Sequence, residues 1–534
     1  MNFNPLEKRF PSTRNPVYAK NGMVCTSQPL AAEAGASILR QGGNAVDAAV
    51  ATAACLTVVE PTSNGIGGDA FAIVWMKDQM YGLNASGPSP ESISIDAVKA
   101  LGHEEMPKHG FVPVTVPGAP KAWAELIKKF GNLSLEEVLK PAVTLAEEGY
   151  PVSPTLGKFW KKAVTAYKKL EGQAFEEWFK VFTVDGRAPE IGEIIKLKDH
   201  GKTLRMIGES NANAFYSGQI ADEIDQASKT FGGFIRKSDL ENYQVEWVDP
   251  ISINYKGYDV WEIPPNGQGI IALMGLNTMK HLDVDYYGSP STYHKQFEAM
   301  KLAFADGLEF ISDSKHMKYS TDELLSDDYG KTRASIIKDH AVEPIVGQPF
   351  KSGTVYLTTA DKDGNMVSYI QSNYMGFGSG IVIPGTGIGM QNRGHTFKLD
   401  ENHVNALGPN KKTYHTIIPG FITKDNKAIG PFGVMGGFMQ PQGHLQVIMN
   451  MIDFKMNPQD ALDAPRWQWV KDKTFSVEAT MDHDVIRQLS LKGHQINVTA
   501  EPGGFGRGQI IIKQENGVYV GGTESRTDGH IAIV

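Results

Sequence analysis

Residues 351–368, KSGTVYLTTADKDGNMVS, decide how the rest of the chain is read. Residues 354–360 have strand composition, Asp361-Lys-Asp-Gly-Asn365 is a turn, and Met366 opens a second strand, so the stretch is a tight hairpin. Thr354 stands at the first strand position, directly after the small pair Ser352-Gly353. The ordinary reading is a strand threonine. The chemical reading starts from the fact that a threonine hydroxyl is a poor nucleophile until a base removes its proton. An N-terminal threonine carries its own base, an α-amine with a pKa of about 7.7–8.0. An internal threonine becomes N-terminal if its hydroxyl attacks the preceding carbonyl and the resulting ester is hydrolysed. A glycine at 353 tolerates the strained backbone that such a shift needs.

Working outward, the character of the chain changes near this hairpin. Before it the sequence is helix-rich. Pro29 suits a first helical position, and the helix it opens ends at Gly42-Gly43. Asn44 caps a second helix with Asp47 near its N-terminus, and a glycine-rich loop at 62–69 leads into a strand at 70–76. SLEE at 134–137 is a capping box, residues 120–245 read as largely helical, and further helices are expected at 270–279 and 294–310. After about 345, Gly, Thr, Val and Ile dominate. Strands are expected at 354–360, 366–372, 415–423, 427–434, 508–514 and 517–521, with helices at 441–452 and 458–462.

A chain of 534 residues needs several domains or one large layered one. With 41% hydrophobic and 21% charged residues it has a globular profile, and a net charge of −8 without basic runs excludes a nucleic-acid partner. Cys25 and Cys55 form no disulfide framework. The N-terminal residues lack the apolar core of a secretory signal, and the most apolar run, Ala45–Val59, contains Asp47 and is too short to span a membrane. It reads as a buried helix, and a cytoplasmic location with no membrane partner is expected.

Other chemistries fail on spacing. Fourteen histidines include no HExxH and no tight His/Cys cluster, so no metal is expected. Gly376-Phe-Gly-Ser-Gly380 and Gly385-Thr-Gly-Ile-Gly389 lack both the following helix and a terminal GK[ST], and read as turns and close backbone approaches. No GxSxG elbow is present. No cofactor is called for.

Several ordered stretches carry a resemblance. They are GMVCTSQPLAAEAGASILRQGGNAVDAAVATAACLTVVEPTSNGIGGDAF (22–71), VTVPGAPKAW (114–123), LKPAVTLAEEGYPVS (139–153), GTVYLTTADKDGNMVS (353–368), GFGSG (376–380) and MGGFMQPQGH (435–444). Together they resemble the γ-glutamyltranspeptidases, N-terminal-nucleophile (Ntn) hydrolases, from about residue 20 to 534. The resemblance implies an α+β fold, the αββα four-layer sandwich, built from two chains of one autocleaved precursor. Cleavage between Gly353 and Thr354 would give a large subunit, 1–353, and a small one, 354–534, which stay associated. Thr354 would form the acyl-enzyme with a small-molecule amide. Ser372 matches a family threonine that hydrogen-bonds the nucleophile, and Gly436 and Gly437 match the oxyanion-hole glycines.

The acyl pocket departs from the family pattern. Asn84 stands where an arginine binds the glutamate α-carboxylate, and His395, in QNRGHTF (391–397), replaces the aspartate that binds the α-amine. A family asparagine aligns with Tyr374, or with Asn373 after a slip of one residue. The family serine pair aligns near His415-Thr416. Arg393 lies beside the replaced aspartate and is a candidate for a side-chain carboxylate. The pattern is similar to the cephalosporin-acylase-like and γ-glutamyltransferase-like members. Two readings follow: an autoprocessed amidase/acyltransferase with altered acyl specificity, such as a glutaryl or cephalosporin-type acylase, or an uncleaved relative that binds without turnover.

Overall fold

The computed structural model describes residues 14–344 and 353–534, so Lys351 and Ser352 lie outside the described residues. The strands that build its two main sheets are, in chain order, β1 (Val17–Ala19), β2 (Gly22–Thr26), β3 (Asp69–Met76), β4 (Gln79–Ala85), β5 (Glu246–Val248), β6 (Ile251–Tyr255) and β7 (Tyr258–Glu262). They continue as β8 (Gly353–Asp361), β9 (Met366–Tyr374), β10 (Gly420–Lys424), β11 (Lys427–Met435), β12 (Arg507–Lys513), β13 (Tyr519–Thr523) and β14 (His530–Ile533). One seven-stranded sheet runs β14-β2-β8-β9-β3-β4-β5 and the other β1-β13-β12-β11-β10-β7-β6. Every pairing in both is antiparallel.

Side-chain alternation shows how the layers stack. On β3, Phe71, Ile73 and Trp75 join Phe421, Met435 and Ile511 of the other sheet in one buried cluster. Ala70, Ala72 and Val74 face the opposite way, into a cluster with the helices α1 (Pro29–Arg40) and α2 (Ala45–Val59). A period of two on a strand buried on both faces has this result. Beyond the second sheet, α3 (Gly269–Met279), α4 (Pro290–Phe310) and α5 (Met439–Ile452) cover its outer face with a third cluster. The order is helices, sheet, sheet, helices: the αββα sandwich.

Local signals place these elements. Asn44 accepts from the N–H groups of Val46 and Asp47, Asp47 accepts from Asn44 N–H, and every residue of α2 is buried. The strand expected at 415–423 is shorter: β10 begins at Gly420. The backbone of His415 is instead engaged by the 266–268 turn, donating to Asn266 O at 2.9 Å and accepting from Gln268 N at 2.9 Å. Both sheets take strands from either side of residue 353, so the change in composition there is no boundary between folding units. Among the described residues, no helix is long and apolar enough to cross a membrane.

Candidate active site

Thr354 is fully buried at the head of β8, at a register irregularity between Gly353 and Val355 opposite β9. Such bulges redirect a side chain out of the ladder. Its Oγ1 lies 3.1 Å from Ser372 Oγ on β9. Ser372 Oγ also accepts the Tyr374 N–H at 2.8 Å, which holds the hydroxyl in place.

Ser372 pairs in register with Asp69 at the start of β3. Asp69 was part of the glycine-rich loop in the sequence but carried no role there. In the fold it anchors a buried ionic cluster. Its Oδ2 accepts from His415 Nε2 at 3.0 Å and lies 3.8 Å from Arg393 Nε. Arg393 Nη1 donates to Thr416 Oγ1 at 2.8 Å, and its guanidinium carbon stands 4.4 Å from the centroid of the Tyr374 ring. The loop at 62–69 makes this closeness possible: a Cβ on Gly67 would stand 2.4 Å from the Gly389 carbonyl oxygen. Gln391 N–H donates to Gly67 O at 3.1 Å, and the Gln391 side chain accepts the Arg393 N–H while donating to Thr115.

Burial governs the charges of this cluster. It pushes Asp69 up to about 7, although Arg393 pulls the other way. It pushes His415 well below its usual range, helped by the nearby cations Arg393 and Lys412. The imidazole is therefore neutral, and the Ile417 N–H at 3.4 Å from Nδ1 assigns its proton to Nε2, facing Asp69. Burial lowers Arg393 to about 10, which leaves it charged at neutral pH.

Gly436 and Gly437 follow β11 and have φ of 141° and 62°, conformations that favour glycine. They sit at the N-terminal end of α5, where the helix dipole is positive and an oxyanion is stabilised. Among the described residues, neither N–H has a backbone or side-chain acceptor. The Gly437 carbonyl is held by Gln268 Nε2 at 2.8 Å, which also donates to Thr416 O at 2.6 Å. Gln268, a further residue the sequence reading missed, is tied by its carbonyl to Tyr414 OH at 2.8 Å.

A cavity of about 490 Å³ adjoins these groups, with Met106, Leu308, Tyr374, His395, Tyr414 and Phe438 in its wall. Tyr374 follows Ser372 by two residues and Phe438 directly follows Gly437, so both sides of the site reach it. His395 Nδ1 contacts Met106 O at 2.6 Å. Asn84 is 2% exposed and locked in an amide cluster: it donates to Asn266 Oδ1 at 2.9 Å and accepts from Ser86 N and Oγ at 3.0 and 2.7 Å. Asn373 points at the glycine loop, its Nδ2 3.0 Å from where a Gly65 Cβ would be. His415 and Thr416 lie in the ionic cluster and outside the cavity wall.

Away from this site, His294, Glu298 and His494 bring ligand atoms within 4.8 Å of one another. The Lys301 ammonium stands 2.5 Å from Glu298 Oε1 and already supplies the positive charge there.

A threonine at the head of an inner strand of an αββα sandwich, with a hydroxyl partner and paired glycine N–H groups, defines the class of the N-terminal-nucleophile amide hydrolases. The family model "Gamma-glutamyltranspeptidase" matches residues 31–534. The cephalosporin acylase crystal structure from Bacillus halodurans superposes with a TM-score of 0.98 at 57% identity, covering 100% of this chain and 99% of that one. A glutathione hydrolase-like YwrD proenzyme of Bacillus subtilis is 36% identical over 95% of this chain and 97% of its own length. A glutathione hydrolase proenzyme of the same organism is 31% identical over 96% and 91%. The chain belongs to the γ-glutamyltranspeptidase family, and it is an amide-bond hydrolase or acyltransferase.

Proposed function

We propose that the protein matures by cleavage between Gly353 and Thr354 and then uses Thr354 to transfer an acyl group other than free γ-glutamate from an amide to water or an amine. In maturation, Thr354 Oγ1 attacks the Gly353 carbonyl carbon, the peptide C–N bond breaks, and water hydrolyses the ester. This leaves a carboxylate on Gly353 and a free amine on Thr354. In turnover, that amine takes the hydroxyl proton as Oγ1 attacks the substrate amide. The oxyanion faces the N–H groups of Gly436 and Gly437, and the amine passes the proton to the departing nitrogen. Water or a second amine then resolves the acyl ester.

The observation that carries this reading is the 3.1 Å contact between the Thr354 and Ser372 hydroxyls in a buried setting. The altered acyl preference is supported by Asn84, which is tied to Asn266 and Ser86 and carries no charge for an α-carboxylate. The test is denaturing intact mass with N-terminal sequencing. Two chains, one beginning at Thr354, are expected, and Thr354→Ala should give one uncut, inactive chain. A two-chain product from that variant removes Thr354 from the mechanism. A wild-type chain that stays uncut favours a binding protein without turnover.

A further inference from the structure

Two glycines in succession have more backbone freedom than any other pair of residues, so the aim of the Gly436 and Gly437 N–H groups must be set by what surrounds them. The turn itself supplies part of this. Among the described residues, Gly436 O accepts the Met439 N–H and Gly437 O accepts the Gln440 N–H, both at 3.1 Å, and both donors belong to the same turn. A regular helix would add an N–H from residue 441 to Gly437 O, but residue 441 is a proline and has none. Gln268 fills that place from another element: its Nε2 donates to Gly437 O at 2.8 Å.

The Gln268 side chain is fully buried and its amide is completely engaged. Besides Gly437 O, Nε2 donates to Thr416 O at 2.6 Å, and Oε1 accepts from Tyr414 OH at 2.8 Å. These partners decide which way the amide faces, since turned over it would set its oxygen against two carbonyl oxygens. The residue is held in turn by its own N–H, which donates to His415 O at 2.9 Å just ahead of α3. Tyr414 reaches the glycine turn by a second route. Its ring stacks on Phe438, the residue after Gly437, with centroids 5.9 Å apart and planes 17° from parallel. Tyr414 and Phe438 both stand in the wall of the 490 Å³ cavity. One buried amide thus joins the glycine turn, the 414–416 segment and the cavity wall.

The structure assigns to Gln268 the task of positioning the Gly436–Gly437 turn for catalysis, with Tyr414 fixing the orientation of the Gln268 amide. Gln268 is a positioning residue: it is no part of the cavity wall and acts through Gly437. Holding the Gly437 carbonyl beside Thr416 fixes the peptide plane that follows the two N–H groups, and with it the direction in which they meet an oxyanion. This order exists before substrate arrives and is used only as charge develops, so its loss should be felt in kcat and hardly in KM. The assignment rests on the amidase reading above, with Gly436 and Gly437 as its oxyanion donors.

The experiment uses the fully processed enzyme, its cleavage verified by mass, and the best substrate among the acetyl, phenylacetyl, glutaryl and γ-glutamyl p-nitroanilides. Loss of a direct oxyanion donor costs about 10²–10³ in kcat, so Gln268→Met, one step removed, should cost roughly 10–100-fold in kcat with KM within about twofold. Tyr414→Phe keeps the ring and should lower kcat roughly three- to tenfold. Gln268→Glu gives a readout that a merely structural role would not move, and a second variant should Gln268→Met fail to fold. Ionised, its carboxylate faces two carbonyl oxygens; protonated, it donates to one of them again, and burial favours the protonated form. The ratio of its kcat to that of wild type should therefore rise at least tenfold between pH 9 and pH 6, with both proteins folded at both values. A Gln268→Met enzyme within twofold of wild type in kcat overturns the assignment, as does a Gln268→Glu ratio that is the same at both pH values. In either case Gly436→Ala separates the two readings: a slow variant leaves the glycines as oxyanion donors and removes only Gln268, and an undiminished kcat removes the glycines as well. A cleaved wild-type enzyme that turns over none of the four anilides removes the amidase reading and this assignment with it.

Discussion

Deleting the hydroxyl of Ser372 separates catalysis from folding. In Ser372→Ala, Thr354 Oγ1 loses the partner 3.1 Å away, and the Tyr374 N–H loses the acceptor at 2.8 Å. The first loss acts on the reaction. A hydrogen bond to a group that develops charge contributes about 1.5–3 kcal/mol, which is roughly a ten- to 150-fold change in rate. It is felt only as Thr354 becomes a nucleophile, so kcat should fall by that factor and KM should hardly move. The second loss acts on the fold. Leaving the buried Tyr374 N–H without an acceptor costs about 1–3 kcal/mol, so the variant should melt a few degrees lower. Ser372→Thr keeps the hydroxyl and should restore most of kcat. The assay is steady-state hydrolysis of a chromogenic acyl anilide by chains whose cleavage has been verified by mass. A Ser372→Ala enzyme within twofold of wild type in kcat would refute the role assigned to this contact, as would a Ser372→Thr enzyme as slow as the alanine variant.

Three further outcomes follow from the same geometry. In Gly436→Ala the new Cβ sits at φ of 141° and 3.1 Å from Gly506 Cα, which displaces the oxyanion donors; kcat should drop by roughly 10²–10³ in a stopped assay of the cleaved variant, and unchanged kcat would exclude these glycines from the hole. Asp69 has a folded pKa near 7, above its unfolded 3.8, so between those values the folded chain holds a proton that the unfolded chain has released. Stability should therefore fall as pH rises from 5 to 7, by about 1.4 kcal/mol per unit from this group, and denaturant midpoints for Asp69→Asn should show that slope removed. An undiminished slope would place the titration elsewhere. Finally, γ-glutamyl-p-nitroanilide should be a poor substrate compared with the best acyl p-nitroanilide found for this enzyme, because Asn84 offers no charge to an α-carboxylate; equal kcat/KM values would show that the pocket does clamp free γ-glutamate.

The sequence made the local elements legible and left the long-range pairings out of sight. The hairpin at 354–374, the Asn44 cap and the buried α2 follow from turn residues, caps and apolar runs that act within a few positions. The strands β2 and β14 escaped notice, because β2 is five buried residues without polar alternation and β14 is four residues at the chain end. The nucleophile could be suspected from Gly353-Thr354 alone, but only the resemblance gave it weight. The ionic cluster could not be seen at all. Asp69 and His415 are 346 positions apart, and what joins them is a strand register and the 266–268 turn. Arg393 was a candidate because of its neighbour in sequence; its idle donors and the tyrosine over it are properties of the folded chain.

The chemistry and the specificity of this site rest on different kinds of structure. Thr354 and Ser372 sit on adjacent inner strands whose register is set along seven residue pairs, and a slip of one residue would turn every side chain to the wrong face. Gly436 and Gly437 are fixed by the junction of β11 and α5. These parts tolerate little change. The candidate acyl-binding residues come mostly from segments outside the ladders: Arg393 and His395 from a short turn after Gln391 and Thr416 from ahead of β10, whereas Asn84 is paired with Phe71 and Glu246 near the end of β4. A side chain can be exchanged there without moving a strand. Asn84 shows how such a side chain is absorbed, since its Nδ2 donates to Asn266 and its Oδ1 accepts twice from Ser86. Arg393 shows the opposite case, a buried charge whose Nε and Nη2 have no hydrogen-bond partner among the described residues.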